Sequence, residues 1–431
     1  MEKVNVLIFP AGSENAINAY KALSKNLHFR IFGASGRDDY ASAVYPKDSL
    51  RISSDYYINN SAFVESLNKL ITEWNIKYII PTHDVIVRAL LEKQHEIHAC
   101  VVSSPLETAM IAEDKAKMYQ AVVDADYCPT LYTDCTDLEY PVFVKPRIGA
   151  GGKGSRIIMN SEQLKEVLDN KDNYVISEYL PGEELTVDCF TNKSGELLFF
   201  GARTRERVTN GISFRSRRVE SKPEIQTIAE DLNRRLHFRG AWYFQIKKDK
   251  HEKWKMLEFS VRMAGTMLYY MQLGVNFPAL SLFDCMGLPV QVLCNDVQMV
   301  LDRGIETSFF LNHEYDTLYV DYDDTLIVDN KVNTTIIKII FQAINKGRKV
   351  ILLTKHIGDL RDSLTKYHLS EEMFHEIILL NPNCRKADYI QSTRSILIDN
   401  YFPERMDVHS RCGIPVFDVD AAACLVDNRE I

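Results

Sequence analysis

Short apolar runs alternate with amphipathic segments along roughly the first 110 residues. The apolar runs predict buried strands at residues 4–9, 28–32 and 78–80, and the segments between them predict helices at residues 16–23 and 62–74. Strands that alternate with helices indicate a parallel sheet covered on both faces. Open sheets of this kind place ligands beyond the carboxyl ends of their strands. Gly12 and Asp84 stand at such ends, where a ligand contact and a plain structural turn remain alternatives.

The pattern changes between residues 111 and 300. A helix is predicted at residues 115–123, and strands are predicted at residues 141–146, 156–159 and 174–177. The first two strands flank a glycine-rich loop, Gly149-Ala150-Gly151-Gly152-Lys153-Gly154-Ser155. A dinucleotide-binding loop would lead into a helix, and a P-loop would place lysine directly after its last glycine, so neither fits. A hairpin whose backbone N–H groups close over phosphates does fit, because glycine permits close approach.

A third pattern of strands and helices begins near residue 313. Strands are predicted at residues 318–320, 349–353 and 395–398, with a helix at residues 334–344. This alternation again indicates a doubly wound parallel sheet. The sequence therefore predicts a multidomain α/β protein, with domains at residues 1–110, 111–305 and 312–431.

Composition and charge argue against several classes of protein and partner. The chain has 431 residues and a formal net charge of -8, which argues against a broad basic surface for nucleic acid. It has no run of about 18 apolar residues, and its start lacks the pattern of a signal peptide, so no membrane partner is expected. Nine cysteines without a Cys-x-x-Cys pair indicate reduced thiols. We therefore expect a cytoplasmic protein, with its oligomeric state left open.

Charged and polar residues around the glycine-rich loop are of the types that bind ATP and its metal ion. Lys115 and Lys145 can neutralise phosphate oxygens, and Glu178 follows a strand whose exit can present backbone groups to adenine. Gln245 and Glu258 lie on successive strand-like segments and offer the oxygen ligands that Mg²⁺ prefers. Any one of these residues alone would be most simply a solvated surface charge. Their joint order around the loop favours a nucleotide site.

Over about residues 4–300, this arrangement resembles the ATP-grasp superfamily, especially the carbamoyl-phosphate synthetase large chain and related carboxylate–amine ligases. The resemblance implies a Rossmann-like pre-grasp domain followed by an ATP-grasp fold. It implies ATP contacts from Lys115, Lys145, Gly151, Gly152, Gly154, Glu178, Leu180 and Glu184, and it implies Gln245, Glu258 and Ser260 as ligands of Mg²⁺ or Mn²⁺. Arg262 would stabilise the transferring phosphoryl group. The family usually has asparagine where this chain has Ser260, so weakened or rearranged metal binding is expected.

Six arginines lie between the adenine and metal segments of this pattern: Arg203, Arg205, Arg207, Arg215, Arg217 and Arg218. Guanidinium groups match carboxylates and phosphates, so one interpretation is an anionic substrate pocket that uses one or two of them, such as Arg205 and Arg215. The alternative is a hairpin whose face is covered by salt bridges.

A second acidic signature follows the apolar run at residues 318–320. Asp321 and Asp323 stand two residues apart, so on an extended segment both carboxylates would point to one side. One can then attack phosphorus while the other transfers the proton of the leaving oxygen. Thr354, Lys386 and Asp399 follow in order, the first and last of them at strand ends.

This order over residues 315–431 resembles the haloacid dehalogenase superfamily of phosphatases. The resemblance implies Asp321 as nucleophile, Asp323 as general acid and base, and Thr354 and Lys386 as phosphate ligands. It implies that Asp399 binds Mg²⁺ together with Asp321 and Asp323. Asn400 stands where a second acid is common. The gaps from Asp321 to Thr354 and from Thr354 to Lys386 are too short for a folded cap domain.

The sequence thus predicts a bifunctional enzyme. An ADP-forming ATP-grasp ligase would join a small carboxylate to an amine through an acyl phosphate, and a Mg²⁺-dependent phosphatase would act on a phosphorylated metabolite. One alternative is phosphoryl transfer as in carbamoyl-phosphate synthesis, without ligation. Another is a nucleotide sensor without catalysis, which Ser260 and Asn400 favour and which Glu258, Arg262, Asp321 and Asp323 oppose.

Overall fold

The computed structural model describes residues 2–430 apart from Asp134, Thr136, Asp137, Ala150, Ser221, Ile305, Glu306, Phe310 and Asn312. The chain divides into two compact units, a first unit of Met1–Ile305 and a second unit of Glu306–Ile431. The boundary expected near residue 110 falls inside the first unit. The expected domain limits at residues 305, 312 and 431 lie outside the described residues.

The first unit begins with a five-stranded sheet whose strand pairs are all parallel, in the order β3-β2-β1-β4-β5. Its strands are β1 (Val4–Phe9), β2 (Phe29–Ser35), β3 (Leu50–Ile52), β4 (Ile76–Pro81) and β5 (Cys100–Val101). The helices of this region are α1 (Glu14–Leu23), α2 (Phe63–Glu73), α3 (Asp84–Glu92) and α4 (Leu106–Glu113). The parallel sheet predicted from the apolar runs is confirmed, with strand ends shifted by up to three residues.

A small antiparallel sheet carries the glycine-rich loop. Its elements are α5 (Lys115–Gln120), β6 (Val142–Pro146), β7 (Arg156–Ile158), α6 (Ser161–Leu168) and β8 (Tyr174–Glu178). Strand β6 pairs with both β7 and β8, so the loop joins two antiparallel strands as predicted.

The larger antiparallel sheet has the order β10-β9-β13-β14, and a second sheet has the order β11-β12-β15. Their strands are β9 (Glu184–Thr191), β10 (Leu197–Thr204), β11 (Glu206–Thr209), β12 (Ile212–Arg217), β13 (Gly240–Lys248), β14 (Trp254–Ser260) and β15 (Val300–Asp302). The accompanying helices are α7 (Pro223–Leu236), α8 (Leu268–Gln272) and α9 (Phe277–Cys285).

One hydrophobic cluster joins the N-terminal sheet to the rest of the first unit. Ile17 of α1 and Phe29 of β2 belong to the same buried cluster as Phe277 and Leu282 of α9. The side-chain amide of Asn276 also donates to the carbonyl of Ala22 at 2.8 Å. These contacts explain why residues on both sides of position 110 form one compact unit.

The second unit is a five-stranded parallel sheet in the order β20-β19-β16-β21-β22, with a separate hairpin of β17 and β18. Its elements are β16 (Thr317–Val320), β17 (Ile327–Val328), β18 (Lys331–Val332), α10 (Thr334–Asn345), β19 (Lys349–Thr354), α11 (Leu360–Lys366), β20 (Glu376–Leu379), β21 (Ser395–Ile398), α12 (Phe402–Cys412) and β22 (Val416–Phe417). Strand β16 is fully buried at the centre of the sheet, so the residue after it, Asp321, lies at the middle of the carboxyl edge.

Among the described residues, no helix is long and apolar enough to cross a membrane.

Candidate active sites

One face of the larger antiparallel sheet forms the floor of a cavity in the first unit. Gln245 on β13 pairs directly with Glu258 on β14 and with Thr186 on β9. Tyr243, two residues before Gln245 on β13, pairs with Ser260, two residues after Glu258 on β14. Alternate residues of a strand share a face, so both pairs lie on the same face of the sheet. All five residues line a cavity of about 380 Å³. The sheet therefore brings the predicted metal ligands together.

The other walls of the cavity come from several parts of the first unit. The N-terminal sheet contributes Glu14, Asn15, His83 and Asp84, which follow the carboxyl ends of β1 and β4. Arg303 follows β15 and also lines the cavity. The strand-end position of Asp84 marked it in the sequence, whereas nothing in the local pattern distinguished Arg303.

Lys115 lies at the start of α5, where Asp114 caps the helix. Its side chain is buried, and its ammonium donates to the carbonyl of Gly149 at 2.8 Å. Lys115 and Gly149 both line the cavity. A cation therefore stands at the base of the glycine-rich loop, as a phosphate site requires.

The glycine-rich loop adopts backbone conformations that favour glycine. Gly151, Gly152 and Gly154 have φ values of 66°, 66° and 74°. The loop packs against the β11–β12 turn, where a Cβ on Gly211 would lie 3.1 Å from the carbonyl carbon of Gly151. Gly151 and Gly211 line the cavity, whereas Gly152 and Gly154 do not. Two hairpins thus meet at one wall of the cavity.

Lys145 is buried beneath this loop on β6. Its ammonium donates to the carbonyl of Leu257 at 2.8 Å and to the hydroxyl of Tyr119. Burial lowers the pKa of Lys145 to about 8, although the nearby Glu258 carboxylate opposes the shift. Lys145 is not among the lining residues, but it holds the backbone next to Glu258.

The residues expected near adenine and ribose lie outside the lining of this cavity. Glu178 accepts a hydrogen bond from the backbone N–H of Thr130 at 2.7 Å, and Leu180 is buried. Glu184 forms an ion pair with Arg205, with 2.6 Å between Oε1 and Nε. The structure therefore does not bring these three residues into the cavity that Gln245 and Glu258 line.

Ser260 and Arg262 share an acidic partner that the sequence comparison with the family did not suggest. The Ser260 hydroxyl donates to Asp84 Oδ1 at 2.5 Å, and Arg262 Nε donates to Asp84 Oδ2 at 2.9 Å. Burial disfavours the charge of Arg262, but the Asp84 carboxylate outweighs it and raises the pKa of the guanidinium above its ordinary value. Asp84 thus holds both residues at the cavity wall.

Each of the six arginines pairs with an acidic residue, which agrees with the salt-bridged alternative. Arg203 and Asp188 form a pair with no exposed surface on either side chain. The remaining pairs are Arg205–Glu184, Arg207–Asp302, Arg215–Asp302, Arg217–Glu206 and Arg218–Asp296. Arg203 and Arg205 also line the cavity, but Arg215 does not. Asp302 on β15 holds Arg215 outside the lining of this cavity, so a role for Arg215 in binding substrate stays a prediction.

The second unit contains a buried cluster of opposite charges at the carboxyl edge of its sheet. The ammonium of Lys386 lies 2.7 Å from Asp321 Oδ1 and 2.6 Å from Asp399 Oδ2. Burial raises the pKa of the Asp321 carboxyl to about 6, with Lys386 opposing and Asp399 adding to the shift. Burial also opposes the charge of Lys386, but the two carboxylates raise its pKa above the ordinary value.

Asp323 follows β16 on a turn and not on the extended segment that the spacing predicts. The chain turns after β16, because the carbonyl of Tyr322 accepts from the backbone N–H groups of Leu326 and Ile327, both at 2.9 Å. The Asp323 carboxylate instead lies 2.9 Å from Nδ1 of His356, two residues beyond the buried Thr354. His356 was missed in the sequence, where only its closeness to Thr354 could have marked it.

The surroundings of this cluster agree with a site that has no cap domain. Between Asp321 and Thr354 the described chain forms only the β17–β18 hairpin, α10 and β19. The backbone N–H of Asn400 donates to the hydroxyl of Thr325, in the turn that follows Asp321, at 3.1 Å. The described chain therefore has no domain inserted between Asp321 and Thr354.

Among the described residues, no three His, Cys, Asp or Glu side chains group as a ready-made metal site. Mg²⁺ commonly binds one or two protein carboxylates, and it completes its shell with waters and phosphate oxygens. Glu258 with Gln245 in the first unit, and Asp321 with Asp399 in the second, provide oxygen donors that fit this mode.

Two family descriptions match overlapping parts of the first unit. Residues 170–302 match "ATP-grasp in the biosynthetic pathway with Ter operon", and residues 109–181 match "Carbamoyl-phosphate synthase L chain, ATP binding domain". A curated relative, the carbamoyl phosphate synthase arginine-specific large chain of Bacillus subtilis (strain 168), is 27% identical over 130 residues. That similarity covers 26% of this chain and 12% of the relative, so the chain spans a small part of its length.

Solved structures share the fold of this region. Biotin carboxylase from Campylobacter jejuni, solved as a β,γ-ATP complex, is 16% identical with a TM-score of 0.56 and covers 68% of this chain and 72% of its own. N5-carboxyaminoimidazole synthetase from Staphylococcus aureus, solved with ADP, is 16% identical with a TM-score of 0.53 and covers 68% and 80%. Together with the family matches, these similarities support the ATP-grasp resemblance of the first unit.

Proposed function

We propose that the first unit is an ADP-forming ligase that joins a small carboxylate to an amine through an acyl phosphate. The observation that carries this proposal is the direct pairing of Gln245 with Glu258 on the floor of the cavity. Lys115 and the glycine-rich loop form part of the same cavity wall. A metal-binding floor beside a phosphate-binding loop is the arrangement that phosphoryl transfer from ATP needs.

Each step of this reaction has residues suited to it. The substrate carboxylate attacks the γ-phosphorus of ATP, ADP leaves, and an acyl phosphate forms. Mg²⁺ bound by Glu258, Gln245 and phosphate oxygens would neutralise charge on the transferring group. Lys115 holds phosphate oxygens, and Arg262 stabilises the charge on the γ-phosphoryl group. The amine then attacks the acyl carbon, inorganic phosphate leaves, and the nitrogen loses a proton.

ADP formation in the full-length protein tests this function. ATP would be supplied with Mg²⁺, with and without pooled small carboxylates and amines. The proposal expects ADP release that requires a carboxylate and a product that requires the amine. Turnover with carboxylate alone would indicate phosphoryl transfer without ligation. ATP binding without any substrate-stimulated turnover would indicate a sensor and contradict the ligase.

For the second unit we propose a phosphatase with an aspartate nucleophile. The contact of Lys386 with both Asp321 and Asp399 favours this function, because a buried ammonium between two carboxylates can also hold a phosphoryl oxygen. Asp321 attacks phosphorus, and the leaving alkoxide takes a proton from Asp323. Water then attacks the aspartyl phosphate, Asp323 takes the proton of that water, and inorganic phosphate leaves.

The two carboxyl groups suit these different tasks. Asp321 is buried beside Lys386, whose ammonium lies 2.7 Å from Oδ1 and favours the ionised carboxylate that nucleophilic attack needs. Asp323 has a side chain that is 54% exposed, which places it where leaving group and water arrive. His356 holds the Asp323 carboxylate at 2.9 Å and fixes its direction. Phosphate release from a small ester, compared between the native chain and Asp321→Asn, tests the assignment.

A further inference from the structure

Three large apolar side chains are exposed at the carboxyl edge of the sheet in the second unit. Ile357 is 85% exposed, Phe402 is 60% exposed and Tyr401 is 59% exposed. Single exposed apolar side chains are common on proteins, but a group of them marks a surface that binds something. We refer to these three residues as the apolar rim.

The sheet order places the rim on both sides of Asp321. Strands β19 and β21 flank β16, and all three run parallel, so their carboxyl ends meet at one edge. Ile357 comes three residues after the end of β19, and Tyr401 and Phe402 follow Asp399 at the end of β21. Ile357 and Tyr401 therefore lie in the loops that follow the two strands flanking β16, and Phe402 is the first residue of α12.

Direct contacts tie the loop after β19 to the start of α12, and the start of α12 to the charged cluster. Lys355, two residues before Ile357, forms an ion pair with Glu404, two residues after Phe402. The backbone N–H of Tyr401 donates to Asp399 Oδ1 at 2.8 Å. Arg405 donates to the carbonyl of Asp399 at 2.7 Å and lies 5.7 Å from the ring centroid of Phe402. These contacts fix the rim beside the cluster.

The site thus changes character from its interior to its surface. Its interior holds Asp321, Lys386 and Asp399, all buried and charged, where a phosphoryl group fits. Its outer part carries the three exposed side chains of the apolar rim beside the half-exposed Asp323, and the described chain has no domain inserted between Asp321 and Thr354. A polar leaving group gains nothing from contact with such a rim, whereas an apolar leaving group gains free energy in proportion to the area that it buries.

We propose that the rim binds the leaving group of the phosphatase substrate, and that this substrate is a phosphate monoester carrying an aromatic or extended apolar group. The proposal rests on the phosphatase function proposed for Asp321. Continuity between the charged cluster and the rim selects this occupant, because one molecule can fill both only if its phosphate adjoins an apolar portion.

Two esters with the same kind of leaving oxygen differ little in intrinsic reactivity, so a difference in their turnover reports binding of the leaving group. 2-Phenylethyl phosphate and glycerol 3-phosphate both release a primary alkoxide, but only the first presents an aromatic ring. Phosphate release would be measured with the full-length protein and Mg²⁺. We expect kcat/KM to favour 2-phenylethyl phosphate by about tenfold or more, which corresponds to burial of part of one ring.

Substitutions in the apolar rim then test whether these side chains cause the preference for 2-phenylethyl phosphate. Ile357→Ser and Phe402→Ser should each reduce the ratio of the two kcat/KM values several-fold, mainly through KM for 2-phenylethyl phosphate. Phe341→Ser is the matched control, because Phe341 is 46% exposed on α10 and does not belong to the rim. This control should leave the ratio unchanged. Both rim positions are exposed, so loss of fold is not expected, and circular dichroism would check it.

Each negative result would contradict a different part of the proposal. Equal kcat/KM values for the two esters, with activity that still requires Asp321, would overturn the rim proposal and leave the phosphatase standing. No Asp321-dependent release from either ester would overturn both. If the rim variants changed the sedimentation mass and left the ratio of the two kcat/KM values intact, the rim would be a surface between copies of the chain, and the substrate proposal would be wrong.

Discussion

Arg262 donates from Nε to the carboxylate of Asp84 at 2.9 Å, although 178 residues separate the two along the chain. Asp84 begins α3 after the carboxyl end of β4, whereas Arg262 follows β14 on the larger antiparallel sheet. The same carboxylate accepts from Ser260, the residue that replaces the expected asparagine. Asp84 therefore fixes the residues on either side of Val261.

The first prediction concerns Asp84 as a positioning residue. Asp84→Ala should lower kcat for ADP formation by about tenfold to a hundredfold, because Arg262 loses the contact that aims it at the phosphoryl group. ATP affinity measured by calorimetry should change little. Asp296→Ala is the control, since Asp296 pairs with Arg218 and does not line the cavity. A loss of ATP affinity as large as the loss of kcat would argue against positioning.

The second prediction concerns the metal-binding floor. Glu258→Ala should reduce ADP formation by at least about a hundredfold, because the charge on the transferring group is no longer neutralised. Nucleotide binding should remain measurable, since Lys115 and the glycine-rich loop are unchanged. Glu224→Ala, an exposed acidic residue in the first turn of α7, serves as control. Native rates in Glu258→Ala would remove the metal assignment.

The third prediction follows from the lowered pKa of Lys145. Triphosphate oxygens should raise that pKa from about 8, so ATP binding near pH 9 should take up a proton, whereas binding near pH 7 should not. Calorimetry in two buffers of different ionisation enthalpy measures the uptake. Lys145→Met should abolish it, and Lys117→Met, on an exposed position of α5, should not.

The same shift has a consequence for stability in the free protein. The unfolded chain holds the Lys145 proton up to its ordinary pKa of 10.5, whereas the folded chain releases it near pH 8. The cost of burying this charge is therefore present below about pH 8 and disappears as the pH rises toward 10.5. Lys145→Met should remove this increase in stability with pH in chemical denaturation.

The fourth prediction concerns the fully buried pair of Arg203 and Asp188. Asp188→Ala should lower the free energy of unfolding by about 3–5 kcal/mol, because it leaves a buried guanidinium without its partner. Asp302→Ala should cost under about 1 kcal/mol, since its pairs with Arg207 and Arg215 are exposed to solvent. Urea denaturation of both variants measures the difference, and similar losses would contradict it.

The fifth prediction concerns the nucleophile of the second unit. Asp321→Asn should bring phosphate release to background while preserving the fold, because the side chains have nearly the same shape and only the anionic nucleophile is lost. Beryllium fluoride should inhibit the native protein by mimicking the aspartyl phosphate, and calorimetry should detect no binding to the variant. Full activity in Asp321→Asn would mean that Asp323 or water attacks phosphorus directly.

The sequence by itself determined the elements and the order of the functional residues. Apolar runs marked β1, β16 and β21 because a buried strand needs apolar side chains on both faces, which is a local property. The glycine spacing marked a loop between two strands because positive φ values favour glycine. Gln245 and Glu258 could be assigned to one site because they lie on successive strand-like segments, and the structure then pairs them directly.

Only the tertiary structure decided which charges remain available to a ligand. Arg215 is held by Asp302, and Asp84 lies against Arg262, because β15 and α3 pack where nothing in the local pattern places them. Asp323 lies beside His356 because the chain turns after β16 and departs from the extended form assumed from its spacing. An ion pair forms between whichever opposite charges the packing of distant elements brings within a few ångströms. The spacing of residues along the sequence does not determine the distance between two such charges.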